Sequence, residues 1–140
     1  MKTFDILVIG AGHAGVEAAI AADRIGARTA IISFRKSDLG IMSCNPAMGG
    51  LGKGHLIREI DAMGGVIGIA SDLSGIQFRM LNKTRGEAVQ GPRAQIDRNL
   101  YQKNIKKIIS DSGVSVIEGE VIDIVTKKKN GKEYIAGIEV

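Results

Sequence analysis

The feature that most constrains this chain is Gly10-Ala11-Gly12-His13-Ala14-Gly15, a Gly-x-Gly-x-x-Gly turn set directly between a strand signal and a helix signal. Residues 4–9 form a short, nearly all-apolar run rich in branched side chains, the pattern of a parallel strand buried on both faces. Residues 14–25 read as a helix, with Ala14, Ala18, Ala21, Ala22 and Ile25 apolar and Gly26 as a stop. A second strand is expected over 28–34. The three glycines then differ in what they do. Gly10 permits the tight turn, Gly12 lets backbone approach a pyrophosphate, and Gly15 lets the helix pack on the strand. The phosphates would rest on the helix N-terminus, where unpaired N–H groups and the positive end of the dipole favour an anion. Strand, turn, helix and second strand together predict dinucleotide binding, with Gly10, Ala11, Gly12, His13, Ala14 and Gly15 as the cradle. His13 is expected to contribute its backbone amide rather than its imidazole.

At 140 residues, with 44% hydrophobic and 24% charged side chains, the chain has the material for one modest core. No apolar run approaches the roughly 20 residues that span a bilayer, and no secretory leader pattern opens the chain. The cytoplasm is the expected compartment. A single cysteine, Cys44, makes no internal disulfide, and with His13 and His55 it shows no metal-ligand spacing. The net charge is +4, unevenly spread. Between Arg79 and Lys107 eight basic residues (Arg79, Lys83, Arg85, Arg93, Arg98, Lys103, Lys106, Lys107) face two acidic ones, Glu87 and Asp97. Such a surface is either a solvated helix face with a loop or a meeting place for phosphates.

Beyond the second strand, residues 39–54 are glycine-rich and 53–63 read as a helix with Leu56, Ile57, Ile60 and Met63 on one face. Residues 76–81 are a strand or a loop, and 83–92 a loop. A helix is expected over 93–112, its stripe made by Ile96, Leu100, Tyr101, Ile105, Ile108 and Ile109. Residues 114–117 and 121–125 read as strands, and Asn130-Gly131 is a strong hairpin signal. The chain stops inside a strand pattern, as in the first part of a doubly wound sheet that continues in a longer protein.

The segment Gly40-Ile41-Met42-Ser43-Cys44-Asn45-Pro46-Ala47-Met48-Gly49-Gly50-Leu51-Gly52-Lys53-Gly54-His55 is the most unusual. Its spacing fails as a P-loop, because Ala47 stands where the first glycine is required and Gly54 where Ser or Thr should bind magnesium. It reads better as a second flexible, glycine-lined loop that lets backbone approach a flat ring system, with Cys44 beside that ring. A lone cysteine is either a small buried hydrophobe or, in a loop whose helix amides depress its pKa, a reactive thiol; Cys44 is the candidate catalytic residue.

That segment, the opening turn, Gly75-Ile76-Gln77-Phe78-Arg79-Met80-Leu81-Asn82 and Gly91-Pro92-Arg93-Ala94-Gln95 resemble, over essentially the whole chain, the start of the tRNA uridine 5-carboxymethylaminomethyl modification enzymes, the GidA or MnmG family. The resemblance implies an α/β, Rossmann-like FAD-binding domain, here incomplete and ending in an antiparallel hairpin, with residues 1–140 as its N-terminal portion. It implies a cytoplasmic, homodimeric enzyme that binds FAD, uses NADH and methylene-tetrahydrofolate, and works with a GTPase partner on the wobble uridine of tRNA. It also places Val121, just after the third parallel strand, where its backbone would read the adenine edge; the alternative is an ordinary core valine. The generic fingerprint wants an acid at the end of the second strand for the ribose. Ser33 and Phe34 stand there, Arg35 and Lys36 follow, and Asp38 is the nearest acid, so the ribose contact stays open. The alternatives are an FAD-binding module or fragment without catalysis of its own, and a general flavin oxidoreductase, which would want a second cysteine.

Overall fold

The computed structural model describes residues 2–43 and 45–140. Along them run β1 (Ile6–Ile9), α1 (His13–Arg24), β2 (Thr29–Ser33), β3 (Ala47–Gly49), α2 (Lys53–Ala62), α3 (Ile67–Asp72), β4 (Gly75–Leu81), β5 (Gly91–Ile96), α4 (Arg98–Ser110), β6 (Ser115–Glu118), β7 (Asp123–Lys129) and β8 (Lys132–Glu139).

The first sheet is parallel, in the order β1-β2-β6. Its register aligns Val8, Ile31 and Val116 in one row, which joins Val16, Ala19 and Ile20 of α1 and Tyr101, Ile105 and Ile109 of α4 in a common core. Ile31 at the centre is fully buried, which stabilises by about 1.5–3 kcal/mol for a side chain of its size. On the other face Leu7, Ile32 and Ile117 look across a cavity of about 490 Å³ toward Val125, Ile138 and Val140 of the hairpin region. That hairpin, β7–β8, turns at Asn130 and Gly131 with φ of 52° and 75°, the left-handed pair that suits the twist of two antiparallel strands.

The expectation that β1 is buried on both faces is not met. Ile6 and Ile9 are 36% and 55% exposed, because β1 is the sheet's edge and pairs with β2 alone among the described residues.

The second sheet is antiparallel, in the order β3-β5-β4. It settles residues 76–81 as strand. It also corrects the helix expected from Arg93: residues Gly91–Ile96 are β5, paired on both sides, and the helix begins only at Arg98. Asp97 makes the boundary, its Oδ1 accepting from the Leu100 N–H at 2.9 Å as an N-cap. The helix over 53–63 is present as α2, but its apolar stripe is only half covered, with Leu56 and Met63 exposed and Ile57 packed against the core. The short helix α3 has no counterpart among the sequence expectations. Glu17 of α1 holds its start, Oε1 accepting from the N–H groups of Val66 at 2.8 Å and Ile67 at 2.6 Å.

Candidate dinucleotide-binding site

β1 delivers the chain to the C-terminal edge of the parallel sheet, where Gly10 donates its N–H to the Ile32 carbonyl at 2.8 Å. Gly10 has φ +103°, a conformation that a side chain would strain. Gly15 is fixed for another reason: a Cβ there would collide with the Gly10 carbonyl oxygen. Gly12 differs from both. Its φ is −73°, and no atom lies within 4 Å of where a Cβ would be. Neither conformation nor packing inside the chain requires a glycine at 12, and the space before it is open.

Gly12 is also the N-cap of α1, with no side-chain cap and no acidic residue in the first turn. The α1 N-terminus therefore presents N–H groups without a side-chain acceptor. Around it, the buried Ala11 accepts from the Gly40 N–H at 3.0 Å, which fastens the second glycine-rich segment to the first. Ala14 is exposed beside the turn. The imidazole of His13 turns inward: Nδ1 shares a hydrogen bond with the Tyr101 hydroxyl at 3.2 Å, and the rings meet edge to face at 5.6 Å and 81°. Burial, and then the Lys53 ammonium, push the His13 pKa down, while burial and then Glu17 push the Tyr101 phenol up, so both are neutral at pH 7. Lys53 opens α2, whose N-cap Gly52 likewise has no side-chain cap and no acid in the first turn. The charge of Lys53, at the start of α2, reaches His13 at the start of α1, and an anion at the uncapped α1 N-terminus would find positive potential there.

At the end of β2 the structure supplies an acid that the sequence pattern missed. Glu118 of β6 stands in register with Ser33, and its Oε2 accepts from the Lys36 N–H at 2.8 Å. The missing signal was tertiary, since Glu118 is brought there only by the β2–β6 pairing. Val121 is half-buried in the link between β6 and β7. Its neighbours are fixed, with Gly119 N–H donating to Ser33 and Ile122 N–H to Glu139, both at 2.9 Å. The Val121 N–H and carbonyl form no hydrogen bond among the described residues. Cys44 lies outside the described residues; Ser43 and Asn45 on either side are exposed, and the Pro46 carbonyl is held by the Ile96 N–H at 2.7 Å.

In the second segment two of the described glycines answer to constraints from within the chain. Gly40 and Gly49 have φ of +70° and +94°, and a Cβ at either would press on Ile105 or the Pro92 carbonyl oxygen respectively. A cavity of about 340 Å³ between α2, α3 and the antiparallel sheet is lined by Met48, Ile57, Phe78 and Met80 among others and does not include the glycine turn. That is no objection to a dinucleotide, which lies in the open crevice beyond the carboxyl ends of parallel strands.

Strand, glycine turn, uncapped helix and parallel neighbour strands define a Rossmann-like dinucleotide-binding fold. The family model described as glucose inhibited division protein A matches residues 5–139, and the chain belongs to that family. It is similar to GidA of Aquifex aeolicus, with a TM-score of 0.89 and 48% identity over 97% of this chain and 22% of that one. It is 53% identical over 124 residues to the tRNA uridine 5-carboxymethylaminomethyl modification enzyme MnmG of Granulibacter bethesdensis, covering 88% of this chain and 20% of the relative. MnmG of Zymomonas mobilis is 55% identical over 117 residues, 83% of this chain and 19% of the relative. The chain thus spans about a fifth of the length of these relatives. THI4 of Thermovibrio ammonificans shares the fold alone, with a TM-score of 0.62, 20% identity and coverage of 96% of this chain and 46% of that one.

Proposed function

We propose that this chain is the N-terminal, FAD-binding portion of an FAD-dependent enzyme that installs the carboxymethylaminomethyl-type modification on C5 of the tRNA wobble uridine. The observation that carries the cofactor reading is Gly12, the one glycine of the turn with no internal reason to be glycine, facing open space at an uncapped helix N-terminus. In this reading the backbone of Gly10, Ala11, Gly12, His13, Ala14 and Gly15 holds the pyrophosphate. The unpaired N–H and carbonyl of Val121 take the adenine edge. When bound, FAD supplies redox chemistry, and this chain's own residues bind and orient it. The tRNA substrate rests on the kinship with MnmG and on the basic stretch from Arg79 to Lys107. NADH, methylene-tetrahydrofolate, the GTPase partner, the homodimer and the cytoplasmic location follow from the same kinship and belong to the longer protein. No described helix is long and apolar enough to cross a membrane.

The test is a titration of the purified chain with FAD, followed by the bound-flavin absorbance. Saturable binding is expected; a chain that takes up no flavin at high micromolar concentration sinks the reading. Cys44 is assigned a catalytic role. In a protein long enough for turnover, Cys44→Ser should retain FAD and lose tRNA modification, and normal turnover would make the thiol a packing group only.

A further inference from the structure

On the antiparallel sheet, Met48 and Ala94 of one face pack toward α2 and α3 and are 3% and 9% exposed, while Phe78 and Met80 of the same face are 60% and 38% exposed, and Arg79 and Arg93 also line the cavity between the sheet and these helices. Side chains alternate along strands, so residues 47, 49, 77, 79, 93 and 95 belong to the other face. The register sets like opposite like on that face: Gln77 against Gln95, and Arg79 against Arg93. Directly opposite positions have Cβ atoms about 4.5–5.5 Å apart, and two like charges there repel. Neither arginine takes part in an ion pair or a side-chain hydrogen bond among the described residues. Gly49, the cross-strand neighbour of Arg93 in β3, puts no side chain beside the pair. Two unpaired guanidinium groups at this spacing, flanked by two free amides, form a fork for an oxyanion.

We propose that Arg79 and Arg93 together hold a phosphate group, with Gln77 and Gln95 beside it to hydrogen-bond the moiety it carries. The anion relieves the repulsion that the register builds in. The source is an RNA phosphodiester or the diphosphate of a dinucleotide; the first rests on the tRNA reading above, and the phosphate chemistry stands without it.

The experiment compares the wild-type chain with Arg79→Gln, Arg93→Gln and the double variant. The probes are inorganic pyrophosphate by thermal shift, an unmodified tRNA transcript across a salt series, and FAD. Measured in a Gly12→Val background, which closes the glycine turn to pyrophosphate, pyrophosphate should raise the melting temperature when both arginines are present and leave the double variant unmoved. Each single variant should weaken RNA binding about tenfold and reduce the log–log salt slope by about 1, with FAD affinity unchanged. Loss of FAD affinity with RNA binding intact would also support the phosphate site and assign it to the cofactor. The proposal is overturned if all three probes bind the double variant as they bind the wild type. It is equally overturned if Lys127→Gln with Lys128→Gln on the distant hairpin produces the same losses, since net charge would then be the cause. A wild-type chain that binds no RNA counts against the tRNA reading alone, and the pyrophosphate measurement still decides on the arginines.

Discussion

The two glycine-rich segments, residues 10–15 and 39–54, look alike in sequence and differ in what their glycines do. In the second, Gly40 and Gly49 are held by positive φ and by contact with Ile105 and Pro92, and Gly52 by its φ of +75°. These are demands of the chain on itself. In the first, Gly10 and Gly15 meet demands of the same kind, but Gly12 meets none. A glycine that neither conformation nor packing explains, at an uncapped helix end, points outward to a ligand. Counting glycines in a loop does not separate these cases; asking what a Cβ would touch does.

The largest effects should fall on the internally constrained glycines. Gly15→Ala drives a methyl into the Gly10 carbonyl, and Gly49→Ala drives one into the Pro92 carbonyl at a positive φ. Each should cost about 3 kcal/mol or more in chemical denaturation. A mild effect at either position would break the division between internal and external glycines.

Gly12→Val should behave in the opposite way. Stability should stay within about 1 kcal/mol, the scale of an N-cap change, while FAD affinity falls more than about a hundredfold through lost charge-assisted hydrogen bonds worth about 1.5–3 kcal/mol each. A variant that unfolds as readily as Gly15→Ala would return Gly12 to the internal class.

Glu17→Ala sharpens the comparison from behind the second segment. Its carboxylate satisfies two N–H groups at the start of α3, and leaving them unpaired should cost about 2 kcal/mol in thermal or urea unfolding. An unchanged stability would mean that water or a neighbour replaces the carboxylate.

That non-local cap also explains what the sequence could and could not disclose. The order β1, α1, β2 was legible because each boundary is local: a branched apolar run, a glycine turn, Gly26 at φ +84°. The hairpin at Asn130-Gly131 was legible for the same reason. The helix start was misread because Ile96 lies four residues before Leu100 and so continues the stripe of α4 backwards. Ile96 is indeed buried, but as the end of β5, and pairing with β3 and β4 overrides the periodicity. α3 is six residues long and is capped from Glu17 across some 50 positions, so no window along the chain carries its signal. In the site, the glycine turn was readable, whereas Glu118 beside Ser33 and the inward turn of His13 onto Tyr101 exist only once the strands and helices are assembled.

The smallest predicted effect joins the two segments through His13 and Lys53. Burial and the Lys53 charge hold the folded-state pKa of His13 below its ordinary value of 6.5. The unfolded chain then binds the proton more readily than the folded one, so His13 contributes stability above pH 6.5 that is lost as pH falls through the lowered value. Unfolding measured at pH 7.5 and 5.5 should show a modest loss at the lower pH, smaller in His13→Gln than in the wild type. Lys53→Met removes the repulsion but not the burial, so the His13 titration followed by NMR should move part of the way back toward 6.5. If it does not move, the ends of α1 and α2 are not electrostatically coupled, and the positive potential at the α1 N-terminus must come from that helix terminus alone.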